Sequence, residues 1–93
     1  MAILIKTDGT TKAVTPKDPK HGFSAEEVHA LIGCDHFEMA PTNIPSFALL
    51  VDDNGKLLGK GYNLSATLLY KYGYSDCIVG DALLVNLKNG ELQ

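Results

Sequence analysis

The chain reads as a small α+β domain, with a mostly antiparallel sheet of about five to six short strands and two short helices packed on it. Three observations predict this. Short apolar runs recur along the chain, each too brief for a helix and the right length for a strand. Asp8-Gly9, Asn54-Gly55 and Asn89-Gly90 follow or separate such runs, and all three pairs suit tight hairpins that need positive φ. Ser24 and Glu27 stand at capping-box spacing before an apolar stripe, which marks a helix start.

Taken in order, Ala2–Lys6 predicts a first strand, residues 7–10 a turn and residues 11–15 the returning strand. Residues 16–22 carry two prolines and form a polar loop, the most mobile stretch expected inside the domain. A helix over residues 25–32 follows. Ser24 caps it, Phe23 and Val28 are placed as a hydrophobic staple, Val28, Leu31 and Ile32 share a face, and Gly33 ends it. His36–Ala40 alternates like a half-buried strand, residues 41–45 are a loop, and Phe47–Val51 is apolar enough for a central strand. Asp52–Gly55 predicts a hairpin turn with Lys56–Gly59 as its partner strand. Asn63 or Ser65 caps a second helix whose inward face is read as Leu64, Leu68 and Leu69, with Tyr72 at its limit, stopped by Gly73. Cys77–Val79 predicts a brief strand, Ala82–Leu87 a longer one, and Lys88–Glu91 a last hairpin.

Ninety-three residues make one domain, 1–93, the expectation. With 45% hydrophobic and 20% charged residues the composition is that of a soluble globular protein. No apolar run reaches the ~18 residues of a membrane span, and the apolar start is too short for a signal peptide, so neither membrane nor secretion is expected. Two cysteines, Cys34 and Cys77, fit free thiols in a reducing cytosol better than a disulfide scaffold.

All eight basic residues are lysines. Arginine supplies the planar fork that grips phosphate and guanine edges, and the net charge of -3 repels a polyanion. Nucleic acid is therefore excluded as the primary partner. The charge is also uneven. Residues 1–22 hold Lys6, Lys12, Lys17 and Lys20 against Asp8 and Asp18, whereas the remainder is acidic.

Candidate chemistry is sparse. Cys34, Asp35, His36 and Glu38 crowd together, but without the separated ligand pairs of a structural zinc site, so no metal or other cofactor is expected. Neither cysteine has the surroundings of an activated thiolate; Cys77 sits in an apolar stretch where the thiol packs as a small hydrophobe. Asp76 and Asp81 bracket Cys-Ile-Val-Gly, where carboxylates serve either backbone N–H groups or a ligand. No phosphate-binding glycine loop is present. Tyr62, Tyr70, Tyr72 and Tyr74 lie within thirteen residues. Their rings with polar tips suit a wet recognition surface and equally the margin of a small core.

From Leu31-Ile-Gly33 and His36-Phe-Glu38, through Leu50–Gly59 and Asn63 with Ala66-Thr67, to Asp76–Val85, the chain resembles domain-of-unknown-function family 3846, a set of small phage and mobile-element proteins. Residues 1–22 share the layout at most, and Cys34-Asp35 departs from the usual link. The resemblance implies a phage or mobile-element setting inside a bacterial cytoplasm and no known reaction. Small proteins in that setting often act by binding. The expected function is a non-catalytic binder that blocks a bacterial defence protein or sequesters a small nucleotide signal, with an interaction module of a phage or plasmid assembly as the alternative. Tyr62, Asn63, Thr67, Tyr70, Tyr72, Tyr74, Asp76 and Asp81 are the expected contact residues, and an oligomer with pockets between subunits stays open.

Overall fold

The computed structural model describes residues 2–88 and 91–93. Its strands are β1 (Ala2–Ile5), β2 (Thr11–Val14), β3 (Phe37–Pro41), β4 (Phe47–Asp52), β5 (Ala82–Lys88) and β6 (Glu91–Leu92); its helices are α1 (Ala25–Ile32) and α2 (Leu64–Leu69). The main sheet runs β2-β1-β5-β4-β3, every neighbour antiparallel, and β6 folds back on β5. This is the small α+β fold expected. The Lys88–Glu91 hairpin appears as the Lys88↔Glu91 pair; its Asn89-Gly90 tip lies outside the described residues.

The sheet is covered on both faces, which explains why its central strands are nearly continuous apolar runs rather than alternating ones. On one face α1 packs Val28 and Ile32 against Ala2, Leu4, Leu50, Leu83 and Val85. On the other, α2 and the segment around Ile78 cover Ile5, Leu49, Val51 and Ala82. Leu49, Leu50, Leu83 and Val85 are fully buried, each contributing about 1.5–3 kcal/mol of apolar burial.

α1 begins and ends as its sequence dictates. The Glu27 N–H donates to Ser24 Oγ at 3.2 Å and the Ser24 N–H donates to Glu27 Oε1 at 3.1 Å, closing the capping box. Glu27 Oε2 also accepts the Lys17 N–H at 3.0 Å, which pins the proline-containing loop to the helix. Gly33 takes the left-handed conformation at φ 67°, and its N–H returns to the His29 carbonyl.

Three expectations are corrected. Lys56–Gly59 is not a strand: residues 53–59 form consecutive turns, because β3 and β5 already occupy both edges of β4. Cys77–Val79 is not a strand either; only Val79 bridges, to Tyr62. In α2 the buried side chains are Ala66 and Thr67, while Leu64 and Leu68 are 56% and 71% exposed. Small residues face the sheet because they let the helix approach closely. The helix also ends at Leu69, capped by Tyr70, and Gly73 lies in the turn beyond.

Gly22 has φ +81°, and a Cβ there would press into the backbone carbonyl of Leu92, which accepts the Phe23 N–H at 2.8 Å. Gly22→Ala is therefore expected to lose about 1–3 kcal/mol, read as a lower urea midpoint. Selective loss of the Phe23 amide's exchange protection would place the damage at β6.

Candidate functional site

Two depressions lie on either side of the segment that carries Asp76 and Cys77. The first encloses about 130 Å³. Its floor is Ala40, Val51 and Ile78; its rim carries Glu38, Asp53, Lys56, Leu57, Tyr70 and Asp76. The second is shallow and open, framed by Tyr62, Thr67, Gly73, Tyr74 and Ser75.

The turn after α2 builds the ridge between them. Gly73 folds so closely on the helix end that a Cβ would collide with the Thr67 carbonyl, and its N–H donates to the Tyr70 carbonyl. The Tyr72 carbonyl accepts both the Ser75 and the Asp76 N–H at 3.0 Å. Tyr70 and Tyr72 meet edge to face with ring centroids 5.8 Å apart, and the Lys71 ammonium lies 5.8 Å from the Tyr72 ring centre. Asp76 Oδ1 accepts the Cys77 N–H at 2.8 Å and pairs with the Lys56 ammonium at 2.5 Å. That pairing holds the Asp76 carboxyl below its ordinary range and raises the Lys56 ammonium above its own. Across the pocket, partial burial first and the neighbouring Asp53 second raise the Glu38 carboxyl. Burial, then Asp76, raises the Tyr70 hydroxyl. Glu38, Asp52, Asp53 and Asp76 line the first depression against the single ammonium of Lys56, which makes it a negative site.

The expected contact residues divide into two groups. Tyr62, Tyr72 and Tyr74 are exposed by 51%, 43% and 86%, and Asp76 is exposed beside them. Tyr70 is half-buried between the first depression and the core. Asn63 and Thr67, by contrast, have their polar atoms committed to the fold. The Asn63 amide donates to the Ile5 and Gly80 carbonyls at 3.0 and 2.9 Å and accepts the Ala66 N–H at 3.0 Å. The Thr67 hydroxyl donates to the Asn63 carbonyl and accepts the Ile78 N–H. Asp81 lies away from both depressions and accepts the Thr7 N–H at 3.1 Å, tying the first hairpin to the entrance of β5.

A family model described as Domain of unknown function (DUF3846) matches residues 1–93. The chain belongs to that family. The match takes in residues 1–22 as well, where the motifs showed no more than layout. The chain matches no curated protein and no solved structure. The family description names no reaction or ligand, so function has to be read from the site.

Sequence reasoning missed the leucines. Leu57, Leu58, Leu64 and Leu68 are 88%, 68%, 56% and 71% exposed. With Tyr62, Tyr72 and Tyr74 they make seven large apolar side chains exposed between residues 57 and 74, against four elsewhere among the described residues. Lys56 and Asp53 were missed as well, since Lys56 meets Asp76 across a gap of 20 residues that leaves no local signal. Among the described residues no three His, Cys, Asp or Glu side chains are arranged to hold a metal. Burial, then Asp52, pushes the Cys34 thiol up, away from a reactive thiolate.

Proposed function

We propose that this protein is a non-catalytic binder of another protein, and that the leucine and tyrosine surface spanning residues 57–74 is its recognition face. The observation that carries the reading is the concentration of exposed apolar side chains there. Scattered apolar groups are ordinary on a surface, whereas a cluster rimmed by polar residues marks a contact site. Tyrosine is among the residues most enriched at the centres of such contacts. Beside the face Asp76 is engaged with Lys56 in an ion pair, which suits recognition better than proton transfer.

Of the two targets a binder of this kind could take, a protein fits better than a nucleotide. A nucleobase can stack on Tyr62 or Tyr74, but its phosphates would meet Asp76, Glu38 and Asp53. A protein surface with apolar groups and a basic side chain suits both parts of the site. In the phage or mobile-element setting that the family resemblance implies, the partner would be a host protein, with a bacterial defence protein the foremost candidate. A partner encoded alongside the protein would instead make it a module of an assembly.

Affinity capture from a bacterial lysate with wild-type, Leu68→Asp and Tyr74→Ala proteins tests this. Both side chains are largely exposed, so both variants should keep the wild-type melting temperature within a degree or two. A specific partner should be lost with Leu68→Asp and weakened about tenfold or more with Tyr74→Ala. Capture unchanged by both, or a large thermal shift with a cyclic dinucleotide, would refute the reading.

A further inference from the structure

β3 is an outermost strand of the sheet, and its neighbour on the outer side is only half built. The Lys71 N–H donates to the Pro41 carbonyl at 2.9 Å and the Asn43 N–H to the Leu69 carbonyl at 3.1 Å, a short antiparallel pairing about Thr42 and Tyr70. Residues 71–75 then form turns, and Gly73 closes back against the Thr67 carbonyl, so the chain leaves the edge after Lys71. This pairing fixes the phase of the strand. The Pro41 carbonyl points outward, whereas the His36 carbonyl, which accepts the Asp53 N–H at 3.0 Å, points toward the β4 side. Main-chain groups alternate along an antiparallel ladder, so the N–H and C=O groups of Phe37 and Met39 point outward. Among the described residues no main-chain group pairs with them there.

The side chains alternate in the same way. Glu38 stands opposite Val51 on the α2 face and rims the first depression. Met39 stands opposite Leu50 on the α1 face, and Phe37 packs half-buried on the same side. Glu38 is exposed and Met39 is 57% exposed, so the edge is open on both faces. A strand added here places one residue directly opposite Glu38 on its own face, and the residues before and after it opposite Phe37 and Met39. We propose that the β3 edge binds an extended segment of a partner protein in which a basic residue stands between two apolar ones. The main chain supplies the hydrogen bonds. Charge decides the basic residue. Asp53 and Asp76 share the depression with Glu38, and the one ammonium there, that of Lys56, is already engaged by Asp76. Burial first and Asp53 second raise the Glu38 carboxyl, and a cation opposite it relieves that field. The two apolar residues cover Met39 and the open side of Phe37.

The same glutamate argues against a second copy of this chain. A two-fold register that pairs the outward groups of Phe37 and Met39 sets the two Glu38 side chains opposite or diagonal to each other on one face. Like charges so placed are unfavourable.

The test is a titration of the intact chain, followed by amide NMR, with acetyl-Thr-Val-Arg-Val-Thr-amide and with the same peptide carrying glutamate in place of arginine. The order of side chains is the same in both directions, so a parallel and an antiparallel added strand present the same residues. The basic peptide should shift the Phe37 and Met39 amides and slow their exchange, while the acidic peptide should not. Glu38→Lys alters an exposed side chain and should weaken the basic peptide roughly tenfold, the loss of one exposed attraction and the gain of one repulsion, and reverse the preference. Met39→Pro removes an outward N–H, a change that an edge strand tolerates, and should weaken both peptides. Leu68→Asp should bind the basic peptide like the wild type, so failure here and failure of the recognition face are read separately. Absence of shifts at Phe37 and Met39, equal response to both peptides, or protection of these amides in a concentration-dependent dimer without peptide would each overturn the proposal.

Discussion

Replacing Asn63 with alanine is expected to remove about 3–5 kcal/mol of folding stability, the largest effect of any single polar substitution in this protein. Asn63 is fully buried, and its amide is the common partner of three separate elements: the end of β1 through the Ile5 carbonyl, the entrance of β5 through the Gly80 carbonyl, and the first turn of α2 through the Ala66 N–H. Alanine leaves two carbonyls and one N–H without partners in a space that water does not reach. Each such group costs about 1–3 kcal/mol. A domain of this size has roughly 5–10 kcal/mol in all, so the variant should be close to its unfolding threshold at 37 °C. Asn63→Asp should be no better: it keeps the acceptor for Ala66 but turns a buried negative charge toward two carbonyl oxygens. Urea unfolding followed by circular dichroism measures both, and a loss below about 1 kcal/mol for Asn63→Ala would mean that the three bonds are not what holds α2 on the sheet.

Lys60→Met should produce the second largest effect and one that depends on pH. Lys60 closes the far end of the α1 face. Its ammonium donates to the Gly33 carbonyl at 2.7 Å and lies 2.6 Å from Asp52 Oδ2. The approach to Oδ2 is off the line of a directed hydrogen bond, so the contact acts as an ion pair. The Asp52 side chain is only 2% exposed. Burial pushes its carboxyl up, but Lys60 and the Asn54 N–H together hold it below the ordinary value. In the wild type Asp52 thus adds stability above the ordinary carboxylate range, and that contribution disappears as pH falls through the lowered folded value. Methionine keeps the aliphatic stem and removes the charge, so burial dominates and the Asp52 value rises. The variant should be about 2–4 kcal/mol less stable at pH 7, and the deficit should shrink toward pH 4 as Asp52 takes up a proton. Adding Asp52→Asn should recover much of the loss, because removing both charges is close to neutral. Urea midpoints at pH 7 and pH 4 check the sign; a deficit that grows on acidification would contradict it.

What the sequence made legible was local. The α1 cap is a bond pattern among residues three apart, and Asp8-Gly9 needs only a turn. What it hid depends on partners distant in sequence. A hairpin at Asn54-Gly55 is sound chemistry, yet the returning strand has nowhere to pair because β3 and β5 flank β4. The leucine spacing of α2 looks like a core stripe, but the sheet beneath demands Ala66 and Thr67, which turns Leu64 and Leu68 outward. The same reversal explains the site. Asn63 and Thr67 looked like ligand contacts because they are polar residues near tyrosines, and the fold consumes their hydrogen-bonding capacity. The tyrosines themselves were readable because Tyr62, Tyr72 and Tyr74 cluster within a short stretch that folds as a turn and a helix end.

The recognition face is tested most directly by photo-crosslinking from position 68. A benzophenone amino acid in place of Leu68, illuminated in bacterial lysate, should capture one protein in preference to others, and the same probe in place of exposed Asp35 should not. Equal labelling from the two positions, or none from position 68, would contradict the account.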